Sequence, residues 1–125
     1  MARTKSELST AVLRELGVVD ALHSPAAVDA AFVEERYDDR LEEMKDKGLV
    51  YWPNTGRATE EIPNVVFRSM VLIMVAEVAP SYGYPIPTSV DDRGRPIPCG
   101  TKGLMDLRRH LAKGPSGAPT RATYY

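Results

Sequence analysis

The sequence predicts an all-α fold: a small bundle of about four helices, a long Pro-rich irregular loop and an extended C-terminal arm. Three observations carry that expectation. Apolar residues recur at three- and four-residue spacing through two well-bounded N-terminal segments. A third segment, residues 65–79, is apolar almost throughout and as long as a buried helix. Between residues 80 and 98, by contrast, five prolines and two glycines break any period.

The first helix is expected over residues 5–16. Thr4 followed three residues later by Glu7 forms a capping box, and Leu8, Ala11, Val12 and Leu16 supply the apolar stripe. Gly17 ends it, because glycine accepts the left-handed conformation that helix C-termini favour. Ser24-Pro25 opens the second helix, expected over residues 25–47, with a hydroxyl to cap free amides and a proline whose missing N–H costs nothing in the first turn. Val33, Tyr37, Leu41 and Met44 form its inner stripe, Val28 and Ala30 extend that stripe backwards, and Gly48 stops it. Its other face carries Glu34, Glu35, Asp38, Asp39, Glu42, Glu43 and Asp46 against only Arg36, Arg40, Lys45 and Lys47. Such a face belongs in water or against a basic partner.

Leu49 to Trp52 reads as a short strand or an extended link, stopped by Pro53 and the turn formers Asn54-Thr55-Gly56. Pro63-Asn64 then opens the buried helix of residues 65–79. Arg68 and Glu77 interrupt its apolar run of about 16 residues, short of the roughly 20 that a bilayer span requires. Pro80 ends it, and residues 80–100 become an extended loop, with a hairpin tip at Asp92-Arg93-Gly94. The last helix is expected over residues 101–112 on Leu104, Leu107 and Leu111, with Arg108, Arg109, His110 and Lys113 in the final turn where cations suit the helix dipole. The core should include Leu8, Val12, Leu16, Phe32, Val33, Tyr37, Leu41, Val66, Met70, Ile73, Met74, Leu104 and Leu107. Residues 1–113 thus form one helical domain. Residues 114–125 lack any helical period, end in two tyrosines and, fully extended, reach roughly 40 Å, against a radius of gyration near 14 Å for a compact domain of this length.

With 125 residues, 43% hydrophobic and 26% charged, the chain suffices for one modest core and one soluble domain. The only cysteine, Cys99, rules out a disulfide framework, and the N-terminus does not read as a signal peptide, so the cytoplasm is the expected compartment. The overall balance of 16 basic to 17 acidic side chains conceals a split at Arg93. Residues 1–92 hold 9 basic and 16 acidic residues, whereas residues 93–125 hold 7 basic residues and a single acid, Asp106. A split of that kind marks a surface that docks on something charged, another copy of the chain included.

Catalytic chemistry is not legible. His23 and His110 lie in no spaced ligand motif, so no metal and no cofactor is expected. Cys99 has no histidine partner in sequence and reads as a half-buried loop thiol. No G-x-S-x-G elbow occurs. Gly100-Thr101-Lys102-Gly103 lacks the spacing of a phosphate loop and reads as a capped helix start. The acids of the long helix and Asp91-Asp92 read as solvated surface rather than acid/base pairs or a magnesium site. The expectation is a protein without enzymatic activity. Tyr124 and Tyr125 cost ordering entropy unless a partner receives them, and Tyr82, Tyr84 and Ile86 in the Pro-rich loop invite the same reasoning. Trp52 is expected to anchor the loop or a neighbour.

The long acidic helix ending in Lys47-Gly48-Leu49-Val50-Tyr51-Trp52-Pro53, the stretch Trp52-Pro53-Asn54-Thr55-Gly56-Arg57, and the buried helix opening Ile62-Pro63-Asn64-Val65-Val66-Phe67 and closing Val78-Ala79-Pro80-Ser81-Tyr82-Gly83 are followed by a loop, a short basic helix and an aromatic-ended arm. In element order and local phrases, over about residues 3–125, the chain resembles the head-to-tail adaptor proteins, also called connector or tail accessory proteins, of tailed double-stranded DNA bacteriophages. The resemblance implies a structural virion protein at the head-tail interface, assembled in the host cytoplasm. It implies a ring of copies, twelve-fold, under the portal protein, extending the channel through which DNA passes without sequence-specific binding and offering a platform to a tail or nozzle protein, with no membrane involved. By that analogy Arg121, Tyr124 and Tyr125 dock on the portal or an adjacent subunit. Trp52, Tyr82, Tyr84, Arg108 and Arg109 complete the candidate partner-binding set. The basic C-terminal third of one subunit would meet the acidic helix of the next, and acids left on the channel wall would keep DNA from sticking. The alternative is a small helical nucleic-acid-binding regulator that uses the basic last helix, with affinity falling steeply with salt.

Overall fold

A computed structural model describes residues 2–20, 22–52 and 61–113. The fold is mostly helical, with α1 (Lys5–Leu16), α2 (Ala27–Asp46), α3 (Asn64–Val78) and α4 (Cys99–Lys113), and a 3₁₀ turn at Ala79–Tyr82 continuing α3. Two small antiparallel pairs qualify the all-α expectation: β1 (Ala2–Thr4) with β2 (Glu61–Pro63), and β3 (Thr88–Val90) with β4 (Pro96–Pro98). The arm, residues 114–125, with its Arg121, Tyr124 and Tyr125, lies outside the described residues, as do residues 53–60, where a turn was expected at Asn54-Thr55-Gly56.

α1 occupies its expected range. Thr4 Oγ1 accepts the Glu7 N–H at 3.1 Å, and the Glu7 carboxylate accepts the Thr4 N–H at 3.1 Å, so two orphan amides of the first turn are satisfied. At the other end Gly17 sits at φ +80°. The Thr4 N–H, followed by Arg3, whose Nε lies 2.9 Å from Glu7 Oε2, holds the Glu7 carboxyl below its ordinary value near 4.5. A depressed carboxyl pKa contributes stability that is complete above the unfolded value and lost as pH falls through the folded one. Acidification below about pH 4.5 should therefore fray the first turn of α1, seen as faster amide exchange at residues 5–8, and Glu7→Gln should abolish that pH dependence.

α2 begins two residues later than expected, at Ala27, with Ala26 extended (ψ 146°) and no side-chain cap. The N-cap position falls on Ala26, so Ser24 stands two residues outside it and does not serve as the expected cap. Val33, Tyr37, Leu41 and Met44 face inwards as expected, and their phase turns Val28 outwards, 80% exposed. At 100° per residue Val28 stands about 140° round the helix from Val33, so it does not extend the stripe.

Residues 49–52 form a link, not a strand. β2 follows and pairs with β1 in the register Arg3 to Ile62, which places the start of α1 beside the start of α3. Ile62 is fully buried, and the Arg3 guanidinium lies 4.2 Å from the Phe67 ring centroid.

α3 is the centre of the fold and contacts α1, α2 and α4. Eight of its apolar side chains, among them Val66, Phe67, Met70, Ile73 and Met74, are buried. Val65, 67% exposed, departs from the expected all-round burial. It shares its side of the first turn with Arg68, which reaches out to Glu15 at 2.7 Å. By length and composition the 19-residue stretch Asn64–Tyr82 could cross a bilayer, but 61% of it is buried inside this fold, as a core helix is.

α4 also starts two residues early, at Cys99, and Gly100 and Gly103 are helical residues pressed against α3. A Cβ on Gly103 would stand 2.7 Å from the Ser69 carbonyl oxygen and 2.9 Å from Ile73 Cγ1, and one on Gly100 would stand 2.7 Å from Ala76 Cβ. The small residues are there for close helix approach. Leu107 is buried, and Leu16, Phe32 and Leu104 are partly buried against the core rather than within it.

Between α1 and α2 lies a polar seam. Lys5 is 2% exposed, and its ammonium donates to Asp38 Oδ1 at 3.0 Å and Oδ2 at 3.3 Å. Ser9, also buried, donates to the Ser6 carbonyl at 2.8 Å. Removing one partner of such a pair strands the other. Asp38→Ala should lower the unfolding free energy by about 2 kcal/mol, because the lysine loses both acceptors while partly regaining water along the Asp38 side; urea denaturation checks it, and Asp38→Ala with Lys5→Met should recover most of the loss.

Candidate docking surface

The Pro-rich stretch is more ordered than its composition suggests. After the 3₁₀ turn, β3 and β4 form a hairpin around a turn at 91–95, in which Asp91 Oδ1 accepts the N–H groups of Arg93 and Arg95, both at 2.9 Å, and Gly94 adopts φ +78°. The carboxylate adds to the backbone bonds of the tip, from the Asp91 N–H to the Arg95 carbonyl and from the Gly94 N–H to the Asp91 carbonyl, both at 2.9 Å, where Pro96 and Pro98 in β4 bring no donors. The Cys99 N–H closes the base of the hairpin on the Pro87 carbonyl at 2.9 Å.

The hairpin is tied to α4 by charge. Arg109 Nη2 donates to Asp92 Oδ2 at 2.7 Å and its Nη1 approaches Asp106 at 3.7 Å, while Lys102 lies 3.4 Å from Asp106 and 3.8 Å from Asp92. Cutting the sequence at Arg93 separates Asp91 and Asp92 from the cations they neutralise in the fold. Arg108, next to Arg109, is exposed and makes no ion pair among the described residues.

The candidate aromatic residues separate into two groups. Trp52 is 4% exposed and belongs to the chain's own core: its indole N–H donates to Tyr37 Oη at 3.1 Å, and the Tyr51 ring meets it edge-on at 5.2 Å. It anchors the link after α2 to the helix before it. Tyr82 and Tyr84 are at the surface beside the start of α2. Tyr82 donates its hydroxyl to Asp29 at 2.9 Å, meets Phe32 edge-on at 5.9 Å and stacks on Tyr84 at 6.5 Å, and Tyr84 is 42% exposed. Burial, followed by the hydrogen bond to Asp29, pushes the Tyr82 phenol up to about 12, so it stays a neutral donor. The structure thus places Trp52 in the core and leaves Tyr84 at the surface.

Two features escaped the sequence reading. Tyr51 Oη lies 3.3 Å from His110 Nε2, which joins the link after α2 to the last turns of α4. The acids of α2 also divide: Asp29, Glu34, Asp38 and Glu43 have partners, whereas Glu35, Asp39, Glu42 and Asp46 are exposed without ion pairs among the described residues. Their 4, 3, 4 spacing, visible in the sequence, puts them on one line along the helix.

Among the described residues no group of three His, Cys, Asp or Glu side chains is placed to hold a metal ion. Cys99 is buried with its thiol facing the Leu72 carbonyl at 3.5 Å, and burial raises its pKa. Comparison of the chain with protein-family models, with curated proteins and with solved structures finds no match.

Proposed function

We propose that this chain is a head-to-tail adaptor of a tailed double-stranded DNA bacteriophage, a structural protein that assembles as a ring beneath the portal, extends the DNA channel and receives the tail. The sequence resemblance suggests the role. The observation that carries it is the distribution of charge on one small helical body: among the described residues, four acids in line on α2, Glu35, Asp39, Glu42 and Asp46, and two cations of the C-terminal third, Arg93 and Arg108, make no ion pair. A chain that bears both signs on different patches is suited to repeat head to tail around a ring. The exposed Tyr84 and Ile86 add apolar contact area for a partner. The reading as a nucleic-acid regulator is weaker, because Lys102 and Arg109 of the basic helix are held by Asp92 and Asp106.

Sedimentation of the purified chain, alone and mixed with the portal assembly encoded beside it, tests the proposal. About a dozen copies should join each portal; a portal that ignores the chain refutes it. Truncation after Lys113 should leave the unfolding transition of the domain in place and abolish portal binding, read by the same sedimentation; retained binding would remove the arm from the interface.

A further inference from the structure

The β3–β4 hairpin turns one face away from the body. Thr88 and Val90 point outwards with their cross-strand partners Pro98 and Pro96, and Val90 is 55% exposed. At the tip Arg93 makes no ion pair among the described residues, and Arg95, its side chain 67% exposed, makes one long contact to Asp91 at 3.5 Å. The backbone bonds to Asp91 fix the tip before any partner arrives, so little ordering entropy remains to be lost on binding.

We propose that this hairpin face docks on the outer face of α2 in a second copy of the chain. That face begins at Val28, 80% exposed, and continues through Glu35, Asp39, Glu42 and Asp46. Spacings of seven, four, three and four keep these five residues within a narrow strip about 27 Å long. The surfaces match twice over: the arginines of the tip meet carboxylates without cations, and Val90 with its proline neighbours meets Val28. The contact uses different patches on the two copies, so it is heterologous and propagates from one copy to the next. This inference rests on the ring reading above and names the surfaces that would build it.

A charge swap in the full-length chain tests it, with sedimentation of the chain both free at high concentration and mixed with the portal assembly. Glu35→Lys with Glu42→Lys, and separately Arg93→Glu with Arg95→Glu, should each weaken association between copies at least tenfold at low salt. The chain carrying all four changes, or an equimolar mixture of the two double variants, should regain it. Arg93→Gln with Arg95→Gln, which places no new charge beside Asp91, should weaken association by a smaller factor and guards against a misfolded hairpin. Association that ignores both reversals, is not regained by the swap, or does not occur in either setting overturns the inference, as does a tip that retains duplex DNA in place of a second copy. Portal binding that persists without sensitivity to these charges leaves the adaptor reading standing and removes only this interface. Swap-sensitive association without portal binding does the reverse.

Discussion

Trp52→Ala should lower the unfolding free energy by about 3 to 5 kcal/mol, the range for emptying a large buried aromatic site. Trp52 lies 4% exposed between Tyr37 and Tyr51, and its indole N–H satisfies the Tyr37 hydroxyl at 3.1 Å. The substitution removes the ring and that donor together, at the end of the link that follows α2. Trp52→Phe should cost less, about 1 to 2 kcal/mol, by keeping most of the ring volume and losing the hydrogen bond. Because the chain has one tryptophan, its emission reports on this site directly. The folded protein should emit at short wavelength and shift to the red on unfolding. If Trp52→Ala left the denaturation midpoint unchanged while weakening assembly, the tryptophan would be an anchor for a neighbour and its buried position here would be wrong.

Gly103→Val should destabilise by about 3 kcal/mol, at the upper end of overpacking effects. The position has no room for a Cβ: the Ser69 carbonyl oxygen would be 2.7 Å away and Ile73 Cγ1 2.9 Å. A backbone oxygen cannot step aside as the end of a flexible side chain can, so α4 must lift from α3 along the interface that also holds Gly100 and Ala76. Gly103→Ala should cost less, because alanine's better helix propensity of about 1 kcal/mol offsets part of the clash. Chemical denaturation of both variants gives the comparison. A Gly103→Val protein as stable as the parent would mean that α3 and α4 do not approach this closely. Loss of α4 packing also carries the hairpin with it, through the contacts of Asp92 with Arg109 and Lys102, so the same variant should weaken docking on the proposed surface.

The helices are legible in the sequence, because each has a period, a stop or a cap written in neighbouring residues. Thr4, Glu7 and Gly17 bound α1 as expected, and the stripe from Val33 to Met44 fixed which side of α2 is buried. The sequence also placed all seven acids of the outer face of α2 on one helix, but which of them stand without a cation depends on partners elsewhere in the fold, Lys5 for Asp38 among them. Where local signals were weak, the reading drifted: Ser24-Pro25 suggested a cap that the backbone does not form, and Cys99-Gly100 start a helix that was expected at Thr101.

The remaining features follow from packing, because they depend on residues far apart in the chain. β1 and β2 are three residues each, too short to show an alternation, and exist because the segments before α1 and α3 lie side by side. Gly100 and Gly103 look like a loop until Ser69, Ile73 and Ala76 are placed opposite them. Asp92 counts with the acidic half of the sequence yet neutralises Arg109 and Lys102, whereas Arg93 and Arg108 make no ion pair among the described residues. Trp52 shows the same limit: its aromatic chemistry suits an interface or a core equally, and the Tyr37 hydroxyl, 15 residues away, decides for the core.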